Sequence, residues 1–131
     1  MKKILVTGAN GQLGSELFIL SSNYPEYEWV FADREQVTLN NLEVLKVQLN
    51  KIRPDIILNC GAYTAVDKAE TEKELAFTVN HLAVELIAKY TAENNIKLIH
   101  ISTKKYRKYS LFPIGQKAVY TNLFFNAMVK V

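Results

Sequence analysis

The chain contains four short runs of apolar residues, and the longer segments between them have a different spacing of apolar positions. The runs cover residues 4–6, 29–32, 56–58 and 98–101. They lack the alternation of apolar and polar positions that half-exposed strands show, and this is the pattern of strands buried on both faces of a parallel sheet. We therefore predict four buried strands.

The segments between the runs have the three- and four-residue spacing of amphipathic helices. Three stripes are visible: Leu13, Leu17 and Leu20; Leu42, Leu45 and Leu49; and, within residues 71–94, Leu75, Val79, Leu82, Leu86 and Tyr90. Asn40 or Asn41 can cap the second helix, and Pro54 helps to end the connection behind it. Strands that alternate with helices predict an α/β fold, a Rossmann-like doubly wound parallel sheet with right-handed crossovers, truncated to about four strands and an irregular tail.

Charge divides the chain into two parts. The 131 residues have a formal net charge of +3, from 16 Lys and Arg against 13 Asp and Glu. All the acids lie at or before Glu93, so residues 1–103, which hold ten Lys and Arg, have a net charge of −3. Residues 104–131 hold the other six Lys and Arg and no acid. The net charge of the whole chain therefore describes neither part, and its positive sign is weak evidence for a nucleic-acid partner.

Composition and the single cysteine narrow the class of protein. With 49% hydrophobic and 22% charged residues the chain is neither disordered nor collagen-like, and Cys60 alone cannot form an internal disulfide. The longest uncharged apolar-rich run, residues 118–129, falls short of the roughly 20 residues that cross a bilayer. His81 and His100 have no ligands at metal-site spacing, so we expect both to be structural. A soluble cytoplasmic protein without a membrane or metal partner is expected.

A glycine-rich turn directly follows the first predicted strand. Gly8, Gly11 and Gly14 are three residues apart, and the first predicted helix opens among them. In this position Gly8 permits a tight turn, Gly11 lets backbone approach a pyrophosphate, and Gly14 lets the helix pack closely on the strand. The free N–H groups and the positive dipole end of the helix would face the phosphates. Dinucleotide binding is favoured over a glycine turn without a ligand.

The end of the second predicted strand carries two charged residues that favour different dinucleotides. Asp33 lies 19 residues after Gly14, near the spacing at which an acid binds the ribose hydroxyls and favours NAD. Arg34 follows directly and could neutralise the 2′-phosphate of NADP. The choice between NAD and NADP stays open at this point, as does a solvated strand end with no ligand.

Two longer motifs resemble one family. Residues 53–70, RPDIILNCGAYTAVDKAE, are similar to the third-strand signature of dTDP-4-dehydrorhamnose reductases, which are extended short-chain dehydrogenases with the same glycine spacing. Residues 100–103, HIST, resemble the end of the fourth strand in that family. The resemblance covers residues 1–103, which we expect to form an NAD(P)-binding Rossmann portion. It implies NAD(P)H-dependent reduction of the 4-keto group of a dTDP-sugar in dTDP-rhamnose biosynthesis.

The resemblance also implies roles for individual residues. The pyrophosphate would be held by Gly8, Gly11, Gln12, Leu13 and Gly14. The ribose and nicotinamide ends would be lined by Cys60, Gly61, Ala62 and Tyr63. Thr64 would face the substrate, and Thr103 would be the catalytic hydroxyl that hydrogen-bonds the carbonyl. Thr38 stands where the family usually has an acid near the adenine, which would weaken adenine contacts. Structural roles, such as a small buried side chain for Cys60, remain the alternative.

The family pattern is lost after Thr103. Such reductases continue Asp-Tyr-Val-Phe and later supply a Tyr with a Lys four positions on, whereas residues 104–107 are Lys-Lys-Tyr-Arg and none of the seven tyrosines has that Lys. The Tyr is the general acid of the reduction, and the Lys lowers its pKa. We therefore expect these 131 residues to be inactive alone, with a dTDP-sugar partner only in a full-length relative. A non-catalytic nucleotide-binding or regulatory subunit is the alternative, and homo-oligomerisation stays open.

Three interpretations of the tail, residues 104–131, remain open. An out-of-frame or truncated end is favoured, because the family pattern and the acids both vanish abruptly. A single-strand nucleic-acid patch would explain the interleaved bases and aromatics at residues 104–109, but six charges without a binding fold disfavour it. Residues 118–131 could instead add a strand beside Ile99 and cover an open sheet edge.

The favoured interpretation predicts a result at the level of the gene. Translation of the DNA beyond the Thr103 codon in the other two frames should restore Asp-Tyr-Val-Phe and a Tyr-x-x-x-Lys, because a shifted frame leaves the downstream codons intact. Sequencing of the locus and translation in all three frames tests this prediction. If neither frame restores the motifs, the tail is native and the binding-subunit alternative gains support.

Overall fold

The computed structural model describes residues 1–61 and 72–101. Four strands form one parallel sheet in the order β2-β1-β3-β4. They are β1 (Lys2–Thr7), β2 (Tyr27–Ala32), β3 (Ile56–Asn59) and β4 (Lys97–His100). β1 therefore lies inside the sheet, between β2 and β3, and the doubly wound arrangement predicted from the apolar runs is confirmed.

The helices occupy the three segments with helical spacing. They are α1 (Gln12–Ser21), α2 (Leu42–Ile52), α3 (Lys73–Phe77) and α4 (Ala83–Glu93), with a π-helical segment (Thr78–Leu82) between α3 and α4. Within the described ranges, none of these helices is both long and apolar enough to cross a membrane.

Capping residues set the limits of α2. Of the two predicted caps Asn41 is the one used, because its side chain accepts the N–H of Val44 at 3.2 Å. At the other end Arg53 adopts a left-handed conformation with φ of 51°, and its N–H donates to the Leu49 carbonyl at 2.9 Å. Pro54 follows, and the chain turns into β3.

The core lies between one face of the sheet and the pair α2 and α4. Parallel pairing puts Leu5, Ile57 and Leu98 side by side on β1, β3 and β4, and each is at most 1% exposed. Leu49 and Ile87, from the two helices, pack on this row and are fully buried. Of the runs predicted to be buried on both faces, residues 4–6 of β1 are buried throughout, whereas those of β2, β3 and β4 include partly exposed residues.

The third predicted helical stripe is wrong in its phase. Of its five members only Tyr90 is buried, whereas the buried residues of α4 are Ala83, Val84, Ile87, Ala88, Tyr90 and Thr91. The π-helical segment changes the phase of the residues after it, because its i to i+5 hydrogen bonds add a residue to the turn and rotate the positions that follow. A stripe at three- and four-residue spacing cannot stay on one face through it.

The opposite face of the sheet carries α1 and a row of aromatic side chains. Trp29 stacks on Phe31 with ring centroids 5.8 Å apart, and Tyr27 meets Trp29 edge-on at 6.4 Å. Phe18 of α1 meets Phe31 edge-on at 5.2 Å, so aromatic contacts join this helix to β2.

A buried chain of polar side chains joins the carboxyl ends of three strands. Thr7, Asn59 and His100 are neighbours in register and at most 9% exposed. The Thr7 hydroxyl donates to Asn59 Oδ1 at 2.5 Å, and Asn59 Nδ2 lies 3.0 Å from His100 Nδ1. Because the amide is a donor here, Nδ1 must be unprotonated, and burial lowers the pKa of His100 from 6.5 to about 4. The imidazole is neutral and structural at neutral pH.

This histidine predicts a loss of stability in acid. Its pKa is lower in the folded chain than in the unfolded chain, so between pH 6.5 and about 4 the unfolded chain binds the proton first. Lowering the pH through this window should cost up to about 3 kcal/mol of unfolding free energy. His100→Asn keeps an acceptor near the Nδ1 position and cannot titrate there. Urea unfolding of both proteins at several pH values should show a difference that shrinks in acid; a difference independent of pH would contradict the assignment.

Candidate functional site

The glycine turn packs its backbone directly against the end of β3. Gly8 has a φ of +66°, a left-handed conformation that L side chains rarely adopt. A Cβ on Gly8 would lie 2.7 Å from the Gly61 nitrogen and 2.8 Å from the Cys60 carbonyl carbon. The tight turn expected from the sequence therefore exists, and only glycine fits it.

The other two glycines of the turn differ in how much space surrounds them. A Cβ on Gly14 would collide with the carbonyl oxygens of Gly8 and Ala9, so this glycine is what lets α1 pack closely on the turn. A Cβ on Gly11 would meet only the Gly8 oxygen, at 3.2 Å, and Gly11 is exposed. Gly11 adds no side chain at this exposed point, while its own N–H donates to the Gly8 carbonyl at 3.0 Å. Its contact with a pyrophosphate stays a prediction.

The amino end of α1 is open to an anion. Gly11 is the N-cap and has no side chain to bind the first N–H groups, which also have no partner within a helix. The first turn holds no acid, and its residues Gln12 and Leu13 are exposed. Free N–H groups and the helix dipole together favour a phosphate at this point.

Asp33 organises the loop between β2 and α2. Its Oδ1 accepts the N–H groups of Glu35 at 2.9 Å and Gln36 at 3.0 Å, and Gln36 Oε1 accepts the N–H of Asp33 at 3.1 Å. The side chain of Arg34 is exposed. The hydrogen bonds thus hold Asp33 in one orientation.

A cavity of about 470 Å³ lies between this loop and α1. The Ala9 N–H donates to the Ala32 carbonyl at 3.2 Å and brings the glycine turn beside the end of β2. The residues that line the cavity include Asn10, Ser15, Phe18, Phe31, Asp33 and Gln36. The cavity therefore has a polar rim beside the glycine turn and an apolar wall on α1 and β2.

Gln48 of α2 binds two backbone groups of the same loop. Gln48 Oε1 accepts the N–H of Thr38 at 2.8 Å, and its Nε2 donates to the Glu35 carbonyl at 3.1 Å. Thr38 Oγ1 donates to the Arg34 carbonyl at 3.1 Å, so this hydroxyl is used within the loop. Nothing in the local sequence around Gln48 marks this role, because the contact depends on the way α2 folds back.

Cys60 and Gly61 lie where β3 meets the glycine turn. Burial raises the pKa of the Cys60 thiol to about 11, so it stays protonated and unreactive at neutral pH. The Gly61 N–H donates to Thr7 Oγ1 at 3.3 Å and links this corner to the buried polar chain. Of the other predicted site residues, Ala62, Tyr63, Thr64 and Thr103 lie outside the described residues.

The structure thus brings the turn, Asp33 and residues 60–61 to one edge of the sheet. Sequence reasoning did not assign a site role to Thr7 or Asn59, the polar neighbours that support this corner. A signal existed: each is a polar residue at the end of an apolar run, and parallel pairing aligns such ends.

The glycine geometry predicts a difference between two matched substitutions. Gly8→Ala should lower the free energy of unfolding by about 2 kcal/mol or more, because the methyl group meets backbone atoms and the conformation is strained. Gly11→Ala should change it by less than about 1 kcal/mol, since its φ of −77° suits any residue. Urea unfolding followed by the fluorescence of the single Trp29 measures both. Equal stability of the two variants would contradict the packing described here.

Solved structures with similar folds include two dTDP-4-dehydrorhamnose reductases. The chain matches the dTDP-4-dehydrorhamnose reductase of Bacillus anthracis, solved in complex with NADP, with a TM-score of 0.65 and 36% identity over 75% of this chain and 35% of that one. The reductase of the same name from Yersinia enterocolitica matches with a TM-score of 0.69 and 32% identity, over 75% of this chain and 34% of that one.

Sequence comparison gives the same result. The dTDP-4-dehydrorhamnose reductase of Aggregatibacter actinomycetemcomitans is 34% identical over 103 residues, which are 79% of this chain and 35% of the relative. The chain therefore spans about a third of the length of the relatives it matches. The family model of the RmlD substrate binding domain matches residues 1–107. The chain belongs to this family, and dTDP-4-dehydrorhamnose reductases are its relatives.

Proposed function

We propose that the chain binds the adenosine diphosphate half of a nicotinamide dinucleotide, NAD or NADP, at the carboxyl edge of the sheet. The glycine turn packed on the end of β3 carries this proposal. In open α/β sheets ligands bind outside the carboxyl ends of the strands, at the point where the strand order reverses. That point lies at β1 here, since β2 pairs on one side of it and β3 on the other.

The residues at this point fit a pyrophosphate. Gly8 and Gly14 let the turn and α1 pack closely, since a Cβ at either position would collide with backbone atoms. Gly11 adds no side chain at the exposed amino end of α1. The first turn of α1 presents N–H groups without a capping side chain or an acid. These dipoles would stabilise part of the linker's double negative charge at little cost in reorganisation, because they are fixed before it arrives.

The two ends of the dinucleotide would lie on either side of the turn. Asp33 would accept hydrogen bonds from the adenosine ribose, at the end of β2. Cys60 and Gly61, with Ala62 and Tyr63, would line the other ribose and the nicotinamide. The protonated, half-buried thiol of Cys60 suits a packing role there, since it is neither charged nor nucleophilic.

The family membership extends the proposal to a reaction. We propose that the chain is the nucleotide-binding part of an NAD(P)H-dependent reductase acting on the 4-keto group of a dTDP-sugar. When bound, the reduced dinucleotide would supply the hydride. Thr103 would orient the carbonyl by a hydrogen bond, and Thr64 would face the sugar. Turnover also needs a proton donor, and these 131 residues contain no Tyr with a Lys four positions on. A cytoplasmic location belongs to the same proposal.

A second function has one observation in its favour. The dinucleotide turn is intact, whereas the Tyr-x-x-x-Lys pair is absent from the 131 residues. A nucleotide-binding subunit that regulates another protein would need the first feature and could dispense with the second. It predicts the same cofactor binding and no turnover, with a tail that is native.

Calorimetry of the 131-residue chain with NADH and with NADPH tests the proposal. We expect binding of at least one cofactor, and Gly11→Ala should weaken it by about tenfold because a methyl group obstructs the approach of the pyrophosphate. Lys2→Gln removes a charge at the opposite edge of the sheet and should leave the affinity unchanged. No heat with either cofactor at millimolar concentration would overturn the proposal.

The expected inactivity has its own measurement. NADPH absorbance should fall no faster with the chain and a dTDP-4-keto-6-deoxy sugar than without the chain, because the 131 residues contain no Tyr-x-x-x-Lys pair to protonate the carbonyl oxygen. Steady oxidation that requires both the chain and the sugar would show that another residue supplies the proton.

A further inference from the structure

We infer that β2 is a dimerisation surface, whose outer edge pairs antiparallel with β2 of a second copy of this chain about a two-fold axis at Trp29. The sheets of the two copies would then form one continuous sheet. The contact lies at the edge farthest from β4, and it does not depend on the proposed dinucleotide binding.

The outer edge of β2 has no strand beside it among residues 1–61 and 72–101. β1 pairs with one side of β2, and β2 stands first in the strand order β2-β1-β3-β4. Residues 62–71 follow β3 and residues 102–131 follow β4, so both segments join the sheet away from this edge. An edge strand of this kind offers a row of backbone donors and acceptors to another chain.

A hydrogen bond at the end of β2 shows which of its backbone groups face outward. The Ala32 carbonyl accepts the N–H of Ala9, which follows β1, so the backbone groups of Ala32 face the β1 side. Successive residues of a strand direct these groups to opposite sides, so those of Trp29 and Phe31 face outward. Each copy therefore offers two N–H and two C=O groups at the centre of the proposed contact.

The side chains of β2 are complementary to those of a second copy in this arrangement. Tyr27, Trp29 and Phe31 lie in one row on the face of the sheet that carries α1. An axis at Trp29 places the two Trp29 residues opposite each other, and Tyr27 opposite Phe31 of the other copy. Because aromatic residues paired across strands stabilise a sheet, the row of each copy adds to that of the other.

β2 lacks the features that usually keep edge strands apart. Its six residues contain no Pro and no Lys, both of which commonly protect such edges. Its one charged residue, Glu28, lies 3.7 Å from Lys3 Nζ of the same chain. The axis at Trp29 places Glu28 opposite Val30 of the other copy, so the two like charges do not meet.

α1 adds an exposed apolar surface beside the same strand. Phe18 and Ile19 are 63% and 66% exposed, and Glu16 is the one charged residue of this helix. The ring contact between Phe18 and Phe31 places α1 over β2, so the axis would bring the two copies of α1 side by side. The interface is small, near the lower limit of roughly 1,200 Å² for specific complexes, and we expect a micromolar dissociation constant.

Sedimentation equilibrium of the 131-residue chain over a range of concentrations tests the inference. We expect a monomer–dimer equilibrium, and Ile19→Lys should raise its dissociation constant by about tenfold or more, because it buries a charge in the contact. Val47→Lys is the matched control, since Val47 is also 66% exposed but lies on α2, on the other face of the sheet. It should change the constant by less than about twofold. Because Ile19 also lines the cavity, the measured quantity is mass and not cofactor binding.

Disulfide trapping tests the position of the axis. In chains that carry Cys60→Ser, Trp29→Cys should give a cross-linked dimer on mild oxidation. Hydrogen-bonded partners of antiparallel strands have Cα atoms about 5.5 Å apart, which a disulfide can span. Tyr27→Cys is the control in the same strand and should stay uncross-linked, because Tyr27 faces Phe31 of the other copy and not its own counterpart.

Three results of sedimentation would overturn the inference: a monomer at every concentration up to millimolar, a dimer that Ile19→Lys does not weaken, or species that grow beyond two copies, which a two-fold contact does not allow. Cross-linking of Tyr27→Cys in preference to Trp29→Cys would overturn the axis at Trp29. None of these results bears on cofactor binding, which calorimetry measures separately.

Discussion

The backbone contact between Gly8 and the carboxyl end of β3 is the constraint on which the site depends. The Gly61 nitrogen lies only 2.7 Å from where a Cβ of Gly8 would be, so the turn can reach this position only without a side chain. Gly14 continues the same packing against the carbonyl oxygens of the turn. Together these contacts place α1 with its amino end at the sheet edge, where its unpaired N–H groups can meet an anion.

The two halves of this edge are held by different forces. On the side of β3 and β4, Thr7, Asn59 and His100 satisfy one another in the interior, and Thr7 Oγ1 also accepts the Gly61 N–H. A buried network of this kind keeps its shape only while the imidazole is neutral. On the side of β2, hydrogen bonds from Asp33 and Gln48 shape a surface loop. Packing and buried polar groups thus position one half, and side-chain bonds to backbone position the other.

Local patterns were sufficient for much of this architecture. The runs at residues 4–6 and 56–58 are strands because a parallel sheet covered by helices needs continuous apolar segments, and Asn41 begins α2 because its side chain replaces a missing backbone acceptor. The stripe through residues 71–94 misled because a π-helical segment changes the phase of the helix. That segment satisfies its backbone groups with a different hydrogen-bond spacing, which the apolar pattern does not encode.

By itself the sequence determined the glycine turn, the order of the strands along the chain and the family, since each depends on neighbouring residues or on a contiguous motif. Only the tertiary structure decided which strand ends meet. Thr7 and Asn59 are 52 residues apart and Asn59 and His100 are 41 apart, yet parallel register makes them neighbours. It also fixed the orientation of Asp33, because the N–H groups of Glu35 and Gln36 reach its Oδ1 only in the folded loop.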